Sequence, residues 1–178
     1  GAELNQHQSK QVLNYKTPDH LIFDWKIYHL HLNDKKTKHK YFVDRTDELL
    51  FVYIDNEQAL FLGIFTHKPK TNFSNISLLE IIDNNWKSIL PYRKDIEQLS
   101  VNYTDEERLS LRENNINVGT LQVNGKYISQ PNFGQVSSGK SAAAAMLALK
   151  TVRWLNANLK AINKNVEIAN TFFKQSHN

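Results

Sequence analysis

The stretch LLFVYIDNEQALFLGIF, residues 49–65, contains two runs of β-branched and aromatic residues separated by a short polar segment. Such runs are typical of strands, and the polar residues 55–58 are typical of a hairpin loop. The sequence therefore predicts two antiparallel strands, over residues 49–54 and 60–65. Both runs are apolar enough for us to expect burial on two faces.

The segment IYHLHL, residues 27–32, alternates strictly in side-chain type and predicts a third strand. A period of two places three side chains on each face: Tyr28, Leu30 and Leu32 on one, and Ile27, His29 and His31 on the other. We expect the leucines to face the core and the two histidines to face solvent or a cleft. With the two strands downstream, this segment completes a predicted antiparallel meander.

Capping motifs predict two short helices after the meander. The S-x-x-E of residues 77–80 and the T-x-x-E of residues 104–107 both match the capping box, in which side chain and backbone cap each other at a helix start. We expect the first helix to end before Pro91 and the second at about Asn114. The inner face of the first helix is expected to carry Leu78, Leu79, Ile82 and Trp86.

A β-hairpin and one long helix are predicted for the rest of the chain. Asn124-Gly125 lies inside the alternating residues 120–129 and is the strongest short-range hairpin signal. Residues 141–173 contain no Gly or Pro, and apolar or small residues recur there at spacings of three and four: Ala145, Ala148, Val152, Leu155, Leu159, Ile162, Val166, Ala169 and Phe173. This pattern predicts a helix about 50 Å long with a narrow apolar stripe. We expect part of it to project and to pair with a partner helix or a second copy.

The predicted class is therefore α+β: an antiparallel meander sheet with flanking helices, a C-terminal β-hairpin and a long C-terminal helix. With 178 residues, 40% of them hydrophobic, the chain is long enough for one ordinary core. We predict a single α+β domain over residues 1–140 and a long amphipathic helix over residues 141–178, packed on that domain. No apolar run reaches the roughly 20 residues of a membrane span, so we predict a soluble, cytoplasmic protein with no membrane partner.

The stretch GQVSSGKS, residues 134–141, matches the phosphate-loop pattern G-x-x-x-x-G-K-[ST]. A phosphate loop needs a buried strand before it, whereas residues 129–133 read SQPNF, and no strand is predicted after it to supply a magnesium ligand. We therefore interpret it as a Gly- and Ser-rich entry to the long helix, with Ser138 or Ser141 as its N-cap. Lys140 beside a helix N-terminus still attracts an anion.

The composition limits the chemistry. The chain has no cysteine, which excludes disulfides, thiolate metal ligands and cysteine nucleophiles. Lys and Arg outnumber Asp and Glu by 22 to 18, so anionic partners are favoured without being required. Once the phosphate loop is set aside, no cofactor fingerprint remains, and we expect no cofactor.

Most of the histidines and much of the positive charge lie in residues 29–70, within and beside the predicted strands. His29, His31 and His67 are the predicted acid/base residues, and Arg45 is the predicted phosphate stabiliser. The predicted substrate-binding residues are Tyr28 and six lysines: Lys35, Lys36, Lys38, Lys40, Lys68 and Lys140. A three-stranded meander would bring the histidines and the arginine to one sheet face or edge.

Three functions compete for these features. In the favoured one, the protein binds and cleaves RNA without metal: one histidine takes the 2′-hydroxyl proton, another protonates the leaving 5′-oxygen, and a cation stabilises the phosphate. The first alternative is a non-catalytic interaction module that acts through the C-terminal helix. The second is a zinc-dependent hydrolase in which the H-x-H pair and His67 bind the metal.

The string DW-x-I-x-HLHL (residues 24–32), with Arg45, LLF (49–51), Thr66-His67 and Asn85-Trp86, is similar to a family of small uncharacterised bacterial proteins, and this resemblance implies no function. The α+β layout with a basic, histidine-bearing sheet is also similar in architecture to small bacterial ribonuclease toxins, including the messenger-RNA interferases. That second likeness shares no motif, and what it implies is RNA as the substrate.

Overall fold

Two antiparallel sheets and four α-helices make up the part of the chain that the computed structural model describes, residues 4–13, 19–35, 41–131 and 134–175. In chain order they are α1 (His20–Trp25), β1 (Ile27–His31), β2 (Glu48–Ile54), β3 (Ala59–Thr66), α2 (Ser77–Asn85), α3 (Asp105–Glu113), β4 (Thr120–Val123), β5 (Lys126–Ser129) and α4 (Ala142–Gln175). Short 3-10 helices span Leu4–His7, Lys10–Leu13 and Lys70–Phe73. The predicted α+β class is confirmed.

The chain divides into two compact units, Gly1–Ala143 and Ala144–Asn178. The first contains both sheets and the shorter helices, and the second consists of most of α4. Our division into a domain over residues 1–140 and a helix packed on it stays a prediction.

The meander forms with β2 in the centre, paired antiparallel to β1 and to β3. The register of β2 and β3 shifts at Phe51/Val52, where β3 contains one extra residue. Gly63 follows that bulge with a φ of 152°, a region that few other residues adopt. The bulge shifts the alternation by one residue, so that Leu60 and Leu62 before Gly63 and Phe65 after it all pack on the core side.

Two of our expectations about the faces of this sheet are met only in part. Leu30 is buried as expected, but His29 and His31 share the core-facing side of β1 with Ile27, where His31 is buried and His29 lines a cleft. Strand β3 is not buried on both faces, because Phe61 is 65% and Ile64 60% exposed. Both faces of these strands are apolar, and alternation alone does not say which one meets the helices.

One of the two predicted capping boxes forms. The Thr104 side chain accepts a hydrogen bond from the Glu107 N–H, and the Glu107 carboxylate accepts one from the Thr104 N–H, at the start of α3. At α2 the box is absent, because Ser77 is already the first helical residue and its N–H donates to Oδ1 of Asn75. The inner face of α2 is nevertheless buried as expected at Leu78, Leu79 and Ile82.

Helix α1 was not predicted, and it positions two aspartates, Asp19 at its N-terminus and Asp24 near its end. Asp19 caps its N-terminus by accepting from the N–H of Ile22 at 3.2 Å, and Lys26 ends it in the left-handed conformation. Asp24 on α1 forms a buried ion pair with Arg112 on α3. This pair joins the two helices across the core.

The predicted hairpin forms between β4 and β5, and Asn124 and Gly125 both have positive φ, as a type I′ turn requires. The buried carboxylate of Asp83 on α2 holds the hairpin by accepting from Asn124 Nδ2, Lys126 Nζ and the Tyr92 hydroxyl. Burial opposes the charge on Asp83, but these donors outweigh it and lower its pKa to about 2.

Candidate functional site

A cavity of about 230 Å³ lies between the N-terminal segment, the start of α1, β1, the end of β3 and α3. Its lining residues are Ser9, Val12, Asp19, His20, His29, His67, Lys70, Phe73, Leu109 and Glu113. Three of them are histidines and two are carboxylates, which makes this cavity the candidate site. It is somewhat smaller than the roughly 300–1,000 Å³ of pockets that enclose a whole small molecule, so it suits one polar fragment of a larger ligand.

His29 and Asp19 form an electrostatic pair in the wall of the cavity. His29 Nδ1 lies 3.3 Å from Asp19 Oδ2, and the two side chains are 11% and 20% exposed. Nδ1 makes no hydrogen bond within the described part of the chain. Catalytic hydrogen bonds are often this loose without substrate and tighten when it binds. With Nδ1 turned to the carboxylate, Nε2 is the ring nitrogen available to a ligand.

Burial sets the charge state of this pair. It lowers the pKa of His29, and the nearby Asp19 charge only partly opposes it, while the charge of His67 adds to the lowering. Burial likewise raises the pKa of Asp19, against the opposing effects of His29 and of the N–H groups at the start of α1. His29 is therefore neutral at pH 7 and suited to accept a proton.

His67 and His29 pack against the same phenyl ring. Phe73 meets His29 edge-on with 5.1 Å between ring centroids, and it meets His67 edge-on at 5.4 Å. The centroids of the two imidazoles are thus no further apart than those two distances added together. The backbone N–H of His67 donates to the Asp47 carbonyl at 2.6 Å, which fixes the end of β3. His29 lies within β1 and His67 directly follows β3, so the sheet positions both histidines.

Lys70 is the cation of the cavity. Its Nζ lies 4.0 Å from Oε1 of Glu113, and both side chains are well exposed, at 80% and 55%. An exposed pair at that distance is weak. Lys70 can therefore exchange Glu113 for an anion that enters the cavity.

His31 does not line the cavity and packs inside the fold, so its predicted acid/base role stays a prediction. It is 2% exposed, and its Nδ1 accepts the N–H of Thr46 at 3.2 Å. Burial lowers its pKa to about 4, helped by the charges of His29, Arg45 and His67. A neutral, buried ring whose Nδ1 is already occupied holds the loop before β2 in place.

The structure brings His29 and His67 together and leaves the other predicted site residues that it describes outside the cavity lining. Arg45, Lys35, Lys68 and Lys140 are exposed. Tyr28 lies on the opposite face of β1 from His29 and does not line the cavity, and its role in binding stays a prediction. Lys36, Lys38 and Lys40 lie outside the described residues.

The sequence did not indicate Asp19, His20, Lys70, Phe73 or Glu113 as site residues. Asp19 follows a proline and precedes the apolar HLIF, which is an N-cap signal that would have predicted α1 and placed its carboxylate. The other four residues carry no comparable signal. They reach the cavity through the packing of α1, α3 and the 3-10 helix Lys70–Phe73 around β1.

The phosphate-loop stretch forms a closed turn. An antiparallel bridge joins Gln135 and Ser141. Four N–H groups of the stretch and of the first helical residue donate within the protein: Gln135 to Oδ1 of Asn117, Val136 to the Lys140 carbonyl, Gly139 to the Val136 carbonyl, and Ala142 to the Gly134 carbonyl. In a phosphate loop such groups bind phosphate oxygens. These four are not available to a nucleotide.

Packing explains why the motif has glycine at residues 134 and 139. Gly134 and Gly139 both have positive φ, 69° and 74°. A Cβ added at Gly134 would lie 2.4 Å from Oδ1 of Asn117, and one at Gly139 would lie 2.6 Å from Oδ1 of Asn115. The glycines allow the turn to lie against these two asparagines, which accounts for the motif without a ligand.

No protein-family model matches the chain, and no curated protein or solved structure matches it. Among the described residues, no three His, Asp or Glu side chains are grouped as ligands for a metal ion. Within the same residues, every helix is too short or too polar to span a bilayer. The comparisons assign no function to the chain.

Proposed function

We propose that the protein binds RNA and cleaves it without a metal ion, with His29 and His67 as the acid/base pair. The observation that carries this proposal is the pairing of two imidazoles on one cavity wall, one of them backed by Asp19, with Lys70 beside them. Two histidines and a cation are what transfer of a phosphodiester to a neighbouring hydroxyl needs.

The reaction proceeds by attack of the ribose 2′-oxygen on the adjacent phosphorus. Neutral His29 takes the 2′-hydroxyl proton as the 2′-oxygen–phosphorus bond forms. His67, as the general acid, gives a proton to the 5′-oxygen as the phosphorus–5′-oxygen bond breaks. Lys70 stabilises the extra negative charge on the phosphate oxygens, and the products are a 2′,3′-cyclic phosphate and a free 5′-hydroxyl.

Asp19 acts as a positioning residue. Its carboxylate faces Nδ1 of His29 and favours the tautomer in which Nε2 is the free base. The cap to the Ile22 N–H fixes the other carboxylate oxygen at the start of α1. The cavity, at about 230 Å³, has room for one ribose phosphate, and the net charge of +4 favours binding of the rest of an RNA strand on the surface.

We expect a single-stranded RNA oligonucleotide to be cleaved in the presence of EDTA, and mass spectrometry of the fragments to show 2′,3′-cyclic phosphate ends. A DNA oligonucleotide of the same sequence is expected to remain intact, because it lacks the attacking 2′-hydroxyl. Intact RNA after prolonged incubation, or equal cleavage of the DNA, would contradict the proposed function.

The pH dependence of cleavage tests the pairing of His29 with Asp19. Because burial lowers the pKa of His29, we expect kcat/KM to fall on the acid side with a midpoint below pH 6.5. Asp19→Asn removes the charge that opposes this lowering, so the acid limb should move to still lower pH while the maximal rate decreases. Asp95→Asn, at an exposed ion pair with Arg93, is the matched control and should leave the profile unchanged. An acid limb that stays in place in Asp19→Asn would exclude this role for Asp19.

A further inference from the structure

Helix α4 presents a row of exposed apolar side chains. Every side chain from residue 144 to 168 is exposed. Val152, Leu155, Leu159, Ile162 and Val166 recur at spacings of three and four, and each is between 46% and 56% exposed. We call these five residues the α4 seam. An uncovered apolar row of this length marks an interaction surface.

The seam has the width of a coiled-coil contact. In heptad terms, Val152, Leu159 and Val166 occupy a positions, and Leu155 and Ile162 occupy d positions. The seam contains only two apolar positions per heptad, a and d. It is therefore narrower than the apolar stripe of a helix that packs on a globular core. Valine at a with leucine at d, as at Val152 and Leu155, favours two strands, whereas leucine at a with isoleucine at d, as at Leu159 and Ile162, favours more than two. The narrow seam between polar e and g positions is what favours two helices here.

The residues beside the seam are uncharged. Asparagines occupy the flanking e and g positions on both sides: Asn156 and Asn163 on one, Asn158 and Asn165 on the other. In coiled coils, charges at these positions select a partner of opposite charge. An asparagine amide both donates and accepts, so these two rows are complementary to themselves.

The charged residues of the helix lie away from the seam. Lys150, Arg153, Lys160, Lys164 and Glu167 all occupy b or f positions. Two copies of this basic helix can therefore meet along the seam without bringing like charges face to face. A partner chosen by charge would have nothing at the e and g positions to pair with.

We propose that the α4 seam pairs with the same seam of a second copy of this chain, as a two-helix coiled coil. The proposal does not depend on the cleavage of RNA. In this two-fold symmetric dimer the seams of both copies are buried against each other. The asparagines lie at the rim of the contact, where water and other amides satisfy their hydrogen-bonding groups.

A lipid surface fits the same helix less well. Leu147, Trp154 and Ile168 form a second exposed apolar row at c positions. A helix lying on a membrane would immerse this row together with the seam, and the row of Asn158 and Asn165 lies between them. Burying those amides in acyl chains without partners is costly, whereas a coiled coil leaves them at its edge.

The test compares two double variants that remove the same residue types. Leu155→Asn with Ile162→Asn changes the seam, and Leu147→Asn with Ile168→Asn changes the second row. Sedimentation and light scattering of the intact chain should give twice the 20.7 kDa mass of one copy for the wild type and for the second-row variant. The seam variant should have the mass of one copy, and circular dichroism should show less helix.

Other results would overturn the proposal. A wild-type mass of one copy at every concentration would do so, and a mass of three or more copies would exclude the two-helix form. Equal effects of the two double variants would mean that the seam has no special role. Flotation with vesicles of phosphatidylcholine and phosphatidylserine that both double variants lose, with no change in mass, would assign the helix to a lipid surface instead.

Discussion

His29→Asn is expected to reduce the rate of RNA cleavage by about 10²- to 10⁴-fold, the usual contribution of one general acid or base. Asparagine keeps a polar side chain beside Asp19 but cannot take the 2′-hydroxyl proton. His67→Asn should have an effect of similar size, because the 5′-oxygen then leaves without a proton. The two residues act as a unit, so the double variant should be little slower than either single variant.

His31→Asn is the matched control, since it lies on the same strand, two residues away, and receives the same replacement. Its ring is buried and holds Thr46, so this variant should lose stability yet cleave RNA at the normal rate wherever circular dichroism shows it folded. Initial rates with a labelled oligonucleotide measure both. If folded His31→Asn were as slow as His29→Asn, the H-x-H pair would be catalytic together and the cavity would be the wrong site.

Arg112→Met is expected to destabilise the protein by about 3–5 kcal/mol, because it leaves the buried carboxylate of Asp24 without its partner. Arg112 and Asp24 are 6% and 2% exposed, and this burial lowers the pKa of Arg112 to about 10. Urea unfolding followed by circular dichroism gives the free energy of unfolding. Asp24→Leu alone should cost a similar amount, since it leaves a buried guanidinium unpaired.

The combination of Asp24→Leu with Arg112→Met should recover most of the loss, because no buried charge remains. The exposed pair Arg93–Asp95 provides the control, and Arg93→Ala should cost no more than about 1 kcal/mol. A double variant as unstable as the sum of the two single ones would show that the aspartate and the arginine stabilise the fold independently.

The elements that were predicted well are those whose signals are local. The Asn124-Gly125 turn, the capping box of residues 104–107 and the alternating apolar runs of the meander each carry their own chemistry within a few residues. Helix α1 was missed because six residues are too few for a period to show. The box at Ser77 failed because Asn75 offers a competing acceptor two residues earlier.

The candidate site was predicted in part. His29 and His67 were named as acid/base residues and both line the cavity, although their roles stay a prediction. Asp19, Lys70 and Phe73 lie up to 54 residues apart in the chain and meet only because α1 and the segment after β3 pack beside β1. No spacing rule connects such residues.

By itself, the sequence determined the α+β class, the order of the strands, the apolar stripe of α4 and the residue types available for chemistry, because propensity, periodicity and capping act over short distances. Only the tertiary structure decided which face of β1 turns inward. It therefore also decided that His29 lines the cavity while His31 is buried. It also showed that residues 134–141 form a turn held by asparagines. Both decisions rest on packing between distant segments, where several arrangements satisfy the same local pattern and burial selects one.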